Sequence, residues 1–316
     1  MREALFVKQN SGKWKSYEQL QTANPDELAE RFIDITNDLA YAKTFYPKSR
    51  TTAYLNGLAA GLHQSIYKNK KEDTSRFITF WKFELPELFY TYRRQLLYAF
   101  LFFLVSGAMG VLSAKYDDTF VRLILGDGYV NMTNENIAKG DSFGVYKQQG
   151  PVEMFFMIAI NNVYVSLLTF LSGIFLSVGP VFMLLRNGIM LGSFEYYFFS
   201  RGLGIESILV IWIHGTLEIS AIIIAGAAGL VLGHGLLFPK TYTRFQAFKN
   251  SAKDGTKIAL GLVPIFIVAA FFEGFITRYT HMPLWLSISI LGGSLAFIIW
   301  YVIVYPAKLY KRNQIS

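Results

Sequence analysis

Two residues with chemical capacity stand inside an otherwise apolar stretch, IWIHGTLEISAIIIAGAAGLVLGHGLL at residues 211–237: His214 and Glu218. A spacing of four puts both on one face of a helix. Following that face by threes and fours reaches Ala221, Ala225, Gly229 and Gly233, a small-residue stripe that lets another helix approach closely and so directs the polar pair into a bundle. Arg186, and Glu273 near the outer end of a later span, are the other deep charges, with Glu195 nearer an interface. A buried carboxylate without a partner is costly, so pairing among Arg186, Glu218 and Glu273 is expected. Two readings stay open. One is a polar intramembrane site, a proton or ion relay or a contact for a lipid headgroup or peptide. The other is a structural latch in which His214, Glu218 and Arg186 satisfy one another and fix helix register. Asn161, Asn162 and Asn187 could line a cavity next to it, or the first two could cap and bend a helix.

Several chemistries are excluded or left without a motif. The chain has no cysteine, which removes disulfides, thiolate metal sites and a thiol nucleophile. The His-Glu-x-x-His signature is absent, and His234 lies about five helical turns beyond His214. The glycines at 226, 229, 233 and 235 lack the Lys-Ser/Thr ending of a phosphate loop and read as helix-packing positions. Asp127, Asn131, Asn134, Glu135 and Asp141 sit among glycines without EF-hand spacing and read as a solvated turn. No catalytic residue, metal or cofactor is therefore expected, and His63 is assigned no role.

These residues need an apolar scaffold, and the composition supplies one. Hydrophobic residues make up 53% and charged residues 16% of the 316, with mean hydropathy +0.32, more apolar character than a water-soluble domain of this length can hide. The expected fold is all-α, a polytopic membrane bundle of about six spans, one or more broken or re-entrant, at residues 96–316, preceded by a cytoplasmic helical domain over 1–95. The net charge of +8 is concentrated beside the spans, which fits anionic headgroups and orientation rather than nucleic acid.

Leu96–Leu112 is an uncharged run long enough to cross a hydrocarbon core, and residues 115–150, with four basic and five acidic residues, form an extracytoplasmic loop. Met154–Leu185 is 32 residues without a charge, ~48 Å as one helix and too long for a straight crossing. Breaks are expected at Ser172-Gly173 and Gly179-Pro180. Spans at about 153–172, 175–199 and 206–237 place the basic stretch 240–257 in the cytoplasm, although the second puts Arg186 inside the membrane. Spans at about 257–276 and 284–304 follow, separated by an outer link with His281 and Pro283. The chain is thus expected in the plasma (inner) membrane with both ends cytoplasmic. No cleaved export signal is expected, since Lys8 and Lys13 interrupt the apolar start.

Residues 1–95 carry 15 Lys+Arg and 11 Asp+Glu. Asn24-Pro25 opens a helix whose Leu28, Phe32, Ile35 and Leu39 recur at helical spacing, and Pro47 stops it. Tyr54, Leu55, Leu58, Leu62 and Ile66 form the apolar face of a second helix. Phe77–Tyr92, aromatic yet charged, reads as an interfacial helix leading into the first span.

Three blocks in order resemble the stage II sporulation protein M family. They are NNVYVSLLTFLSGIFLSVGPVFMLLRNGIMLGSF, with Asn162, Gly173, Gly179, Asn187, Gly188 and Gly192; the His-Gly-x-x-Glu element His214, Gly215 and Glu218; and Phe272-Glu273-Gly274-Phe275. The N-terminal helices are similar to the pre-domain of the family's longer branch through Tyr46-Pro47, Ser49-Arg50 and Tyr54-Leu55-Asn56. The resemblance implies a non-enzymatic scaffold or localising factor for cell-envelope (peptidoglycan) remodelling, and it carries over no catalytic residues. The alternative, from the residues themselves, is a transporter or lipid-handling protein working through the His214/Glu218 site. Expected partners are membrane lipids, other envelope proteins or a second copy of the chain.

Overall fold

The computed structural model describes residues 2–19, 25–68, 75–147, 150–279 and 282–313; His281 and the expected Asn24 cap lie outside them. Among the described residues the structure is helical, with no strand. The chain divides into two compact units, Met1–Ile78 and Thr79–Ser316.

In the first unit α1 (Glu3–Gln19), α2 (Pro25–Phe45) and α3 (Arg50–Lys68) enclose a core of Ile35, Leu39, Ala42, Leu55 and Leu62. This is the apolar face expected of α2 and α3, apart from Ile66, which lies outside the described side chains, and α1 adds Phe6 and Trp14, packed edge to face at 5.4 Å. Polar groups at this core are paired. Trp14 Nε1 donates to Asp38 at 2.8 Å, Lys13 meets the same carboxylate at 2.7 Å, and Tyr17 donates to Asp34 at 2.9 Å. Tyr54, expected on the core face, sits at its rim and donates to Glu18.

The short helix α4 (Ser75–Thr79) ends the first unit, and the second begins with a π-helical turn (Phe80–Glu84) and α5 (Leu85–Thr91). Next come α6 (Arg93–Tyr116), two short helices α7 (Asp118–Leu125) and α8 (Asp127–Ala138), and α9 (Pro151–Leu171). The chain continues through α10 (Val178–Phe199), α11 (Gly204–Leu237), α12 (Arg244–Gly261), α13 (Val263–Phe271) with a π-helical turn at Phe272–Ile276, α14 (Leu284–Ile299), a further π-helical turn and α15 (Tyr305–Asn313). Five segments are long and apolar enough to cross a membrane: Arg93–Tyr116, Pro151–Ile174, Gly204–Leu237, Arg244–Ile276 and Leu284–Arg312. Their surfaces are inverted relative to the first unit: Leu97, Leu101, Leu104 and Val105 of α6 are exposed, as are Ile288, Leu295 and Ile299 of α14. Such faces suit hydrocarbon.

The charged α10 is the remaining long helix, and packing gives its direction. Backbone of Phe103 meets Gly188 and backbone of Gly107 meets Gly192, so α10 runs parallel to α6. Against α11 the order reverses, with Leu184 at Gly226, Pro180 at Gly229 and Ser177 at Gly233. Thr169 also meets Gly229 and Gly173 meets Gly233, so the chain of α9 runs with α11. The segments α6, α9, α10 and α11 therefore alternate in direction, and α12–α13 continues the alternation, since Ser251 meets Gly235 while Gly255 meets Ala228. The α9–α10 break falls at residues 172–177, where Leu176 and Ser177 take left-handed conformations; Gly179-Pro180 lies just inside the new helix, where proline loses no intrahelical bond.

At the other end of the bundle the segment before α6 is tied down. Tyr301 and Tyr305 donate to the carbonyls of Trp81 and Lys82 at 2.7 and 2.8 Å, Lys257 meets Glu84 at 2.6 Å, and Tyr92 donates to Asp254 at 2.7 Å. Burial and that carboxylate push the Tyr92 phenol above its usual range, so it stays a donor at physiological pH.

Candidate functional site

The 34-residue α11 lies at the centre of the second unit, and it is long enough to overrun a ~30 Å hydrocarbon core. His214 and Glu218 stand ten and fourteen residues from its start, ~15 and ~21 Å along its axis. Below them Ala221, Ala225, Gly229 and Gly233 are buried, and a Cβ added at Gly229 would lie 2.8 Å from the Thr169 carbonyl. The small residues thus bring α9 and the start of α10 against α11 backbone to backbone. That contact fixes the height at which side chains of α9 meet the polar pair.

Glu273 completes a cluster. It sits on the π-helical turn after α13, and its Oε2 is 3.8 Å from His214 Nε2. One ligand-type atom from each of His214, Glu218 and Glu273 lies within 4.8 Å of the others. His214 is buried at 4% exposure, and the Glu273 side chain is 17% exposed. Two carboxylates this close repel by ~3 kcal/mol at an effective dielectric of 20. A positive charge or a shared proton among them relieves that repulsion.

The hydrogen bonds around the imidazole favour one tautomer. Thr277 Oγ1 donates to the carbonyl of Phe272 at 3.1 Å, so toward His214 Nδ1, 3.0 Å away, it acts as acceptor. With the hydroxyl proton placed on that carbonyl, His214 carries its proton on Nδ1 and presents the lone pair of Nε2 to the Glu273 side. The π-helical turn makes this geometry: its i to i+5 bond, from Thr277 N to Phe272 O at 2.8 Å, brings Thr277 under the ring while Glu273 remains beside Nε2. Thr277 is not among the residues expected from the sequence; its position four residues after Glu273 is the available signal.

From α9, Asn162 is buried at 6% exposure and turned toward Glu218, yet its Nδ2 has no acceptor at hydrogen-bonding distance. One turn further, Ser166 Oγ is likewise buried and unbonded. Asn161, about 100° round α9 from Asn162, is exposed. Asn187 donates to the Met183 carbonyl at 2.8 Å and lines a cavity of about 370 Å³ together with His214, Glu218 and Tyr129. A second cavity, about 430 Å³, is lined by Thr277, Ile213, Glu206, Asp141 and Tyr279. The cluster lies between the two.

Arg186 is not brought to the cluster. It is exposed on α10 and forms no ion pair with Glu218 or Glu273, because α10 turns Leu184, Gly188 and Gly192 inward and a residue two places away points ~200° round the helix. The expected pairing among Arg186, Glu218 and Glu273 is replaced by a His214–Glu273 contact with Glu218 alongside. Glu195 is satisfied separately, by Trp212 Nε1 at 2.7 Å and Ser207 Oγ at 3.4 Å.

Residues 99–278, more than half of the chain, match the family described as stage II sporulation protein M. The chain belongs to the stage II sporulation protein M family. The matched residues contain every member of the cluster, so the site sits within the part of the bundle that defines family membership. Residues 4–68, covering α1 to α3, match a separate family described as a domain of unknown function, DUF8413. No curated protein and no solved structure matches the chain.

Proposed function

We propose that this family member is a cation-handling membrane protein, non-enzymatic, that binds its cation at bilayer depth between His214, Glu218 and Glu273. The observation that carries the reading is the juxtaposition of two carboxylates and an oriented imidazole within 4.8 Å, deep in a helix bundle and between two cavities. Ionisable groups at that depth are costly to retain without a role. The cavity at Thr277, lined also by Asp141, and the one at Glu218, lined also by Tyr129, are the proposed approaches, both on the side of the 115–150 segment. The basic stretches at Arg93-Arg94 and 240–257 support placement in the plasma membrane with the two ends of this chain on the cytoplasmic side, in contact with anionic lipids.

The test is ion flux in proteoliposomes loaded with indicators for protons and for monovalent and divalent cations. Wild type is expected to conduct one of them, and Glu218→Gln to lower that flux by at least tenfold. Equal flux in the two proteins, or none above empty liposomes, overturns the reading.

A second reading has its own support. The first unit has an independent core and matches a separate domain family, as expected of a docking module. On that reading the protein is a scaffold that recruits envelope-remodelling proteins, alone or as a homo-oligomer. Cross-linking in native membranes is expected to capture such partners through residues 2–68 and to lose them when that unit is deleted. Unchanged partners after deletion count against it.

A further inference from the structure

We infer that His214, Glu218 and Glu273 are the protein ligands of one divalent transition-metal ion with zinc-like preferences. The inference rests on the cation-handling reading and names the cation. Three observations lead to it. First, the donor set is one imidazole nitrogen and two carboxylate oxygens, which suits zinc and its neighbours; calcium and magnesium prefer all-oxygen shells, and no cysteine is present to favour softer ions. The two carboxylate charges also equal the charge of a divalent ion.

Second, the imidazole is oriented in the way metal-bound histidines are. A ligating histidine donates its second ring N–H to a fixed oxygen, which sets the tautomer and aims the other nitrogen at the metal. In the tautomer assigned above Thr277 Oγ1 accepts from Nδ1, and Nε2 faces the carboxylates. Tetrahedral ligands at ~2.0–2.1 Å from zinc stand about 3.4 Å apart. The observed 3.8 Å between Nε2 and Oε2 is about 0.4 Å longer than that spacing, and all three ligand atoms lie within 4.8 Å of one another.

Third, Asn162 is more than nine-tenths buried, is turned toward Glu218 and leaves its Nδ2 unbonded. A half-turn of the amide puts Oδ1 where Nδ2 stands. In that orientation the oxygen can serve as a fourth ligand or accept from a metal-bound water, so a buried polar group without a partner acquires one. The cavity beside Glu218 leaves room for such a water.

The experiment uses the full chain, expressed without a histidine tag, purified in nanodiscs and stripped with a chelator. Titration with Zn²⁺ is followed by calorimetry and elemental analysis, and with Co²⁺ by its visible absorption, which reports a low-coordinate nitrogen and oxygen site. One equivalent is expected to bind with an affinity that Glu218→Gln and Glu273→Gln each weaken at least 100-fold. Thr277→Val, which leaves all three ligands in place, is expected to weaken it by about 10–100-fold. His234→Gln, outside the cluster, is expected to change nothing. Absence of stoichiometric binding by wild type, or binding unaffected by Thr277→Val and by both glutamate variants, overturns the inference. Metal binding without ion flux keeps the inference and removes the transport reading. Flux that is lost in Glu218→Gln, in a protein that binds neither Zn²⁺ nor Co²⁺, removes the inference and keeps that reading with another cation.

Discussion

The polar groups of the N-terminal helical unit and those of the membrane bundle are both partly buried, yet they are organised in opposite ways. At α1 and α2, Asp38 receives Trp14 and Lys13 while Asp34 receives Tyr17, so each carboxylate has a donor at hydrogen-bonding distance. Around α11 the two carboxylates lie close to each other and to a ring nitrogen, and Asn162 Nδ2 has no acceptor at hydrogen-bonding distance. Buried polar groups that exist to fix a fold are satisfied by the fold. Two carboxylates that the fold assembles this close to one imidazole are what the proposed cation would neutralise. Apolar packing differs in parallel: the first unit relies on Trp14, Phe6 and Leu55, the bundle on glycines that let backbones touch.

The largest effect is expected where that glycine packing is broken. A Cβ at Gly192 collides with the Gly107 carbonyl, backbone against backbone, so α6 and α10 cannot relax by moving a side chain. Gly192→Val should cost more than the ~1–3 kcal/mol of ordinary overpacking and leave little monodisperse protein after detergent extraction. Size-exclusion profiles check this; a profile like wild type removes the claim that the seam sets bundle assembly. A smaller loss is expected in the first unit. Asp38→Asn replaces the charged acceptor of Trp14 and the partner of Lys13 and should destabilise α1 to α3 by about 1–3 kcal/mol. Hydrogen exchange of peptides from residues 3–68 measures it, and unaltered protection sinks it.

Periodicity made much of this legible. The helices α2 and α3, the break near Ser172 and the shared face of His214 and Glu218 all follow from 3.6-residue spacing and from where glycine and proline fall. Phase was harder to read than existence. Asn162, Ser166 and Thr169 line the inner face of α9, whereas Asn161, one residue away, is exposed. Arg186 was expected at the polar cluster because it lies at depth, but the inward set Leu184, Gly188 and Gly192 leaves it on the far side of α10. The helix α1 was not singled out, since Phe6 and Trp14 are only two anchors among lysines. Bringing Thr277 under His214 depends on a single i to i+5 turn, a local widening that side-chain periodicity does not encode.

The smallest expected effect has the opposite sign and separates the two kinds of network most sharply. Replacing one carboxylate of a satisfied pair costs stability, because its donors lose their acceptor. At Glu218 the neighbour that matters is a second carboxylate, and a neutral amide of the same shape removes the repulsion while keeping the packing of α9 against α11. Glu218→Gln should therefore stabilise the chelator-treated protein by about 1 kcal/mol, in line with neutral replacements of buried charges elsewhere. The same substitution should abolish the added stability that saturating Zn²⁺ gives to wild type, since a bound ion stabilises only the state that holds its ligands together. Thermal unfolding in detergent, with and without metal, measures both differences. A fall in melting temperature for metal-free Glu218→Gln would show Glu218 to be held as Asp38 is, by partners within the fold, and the contrast between the two units would disappear.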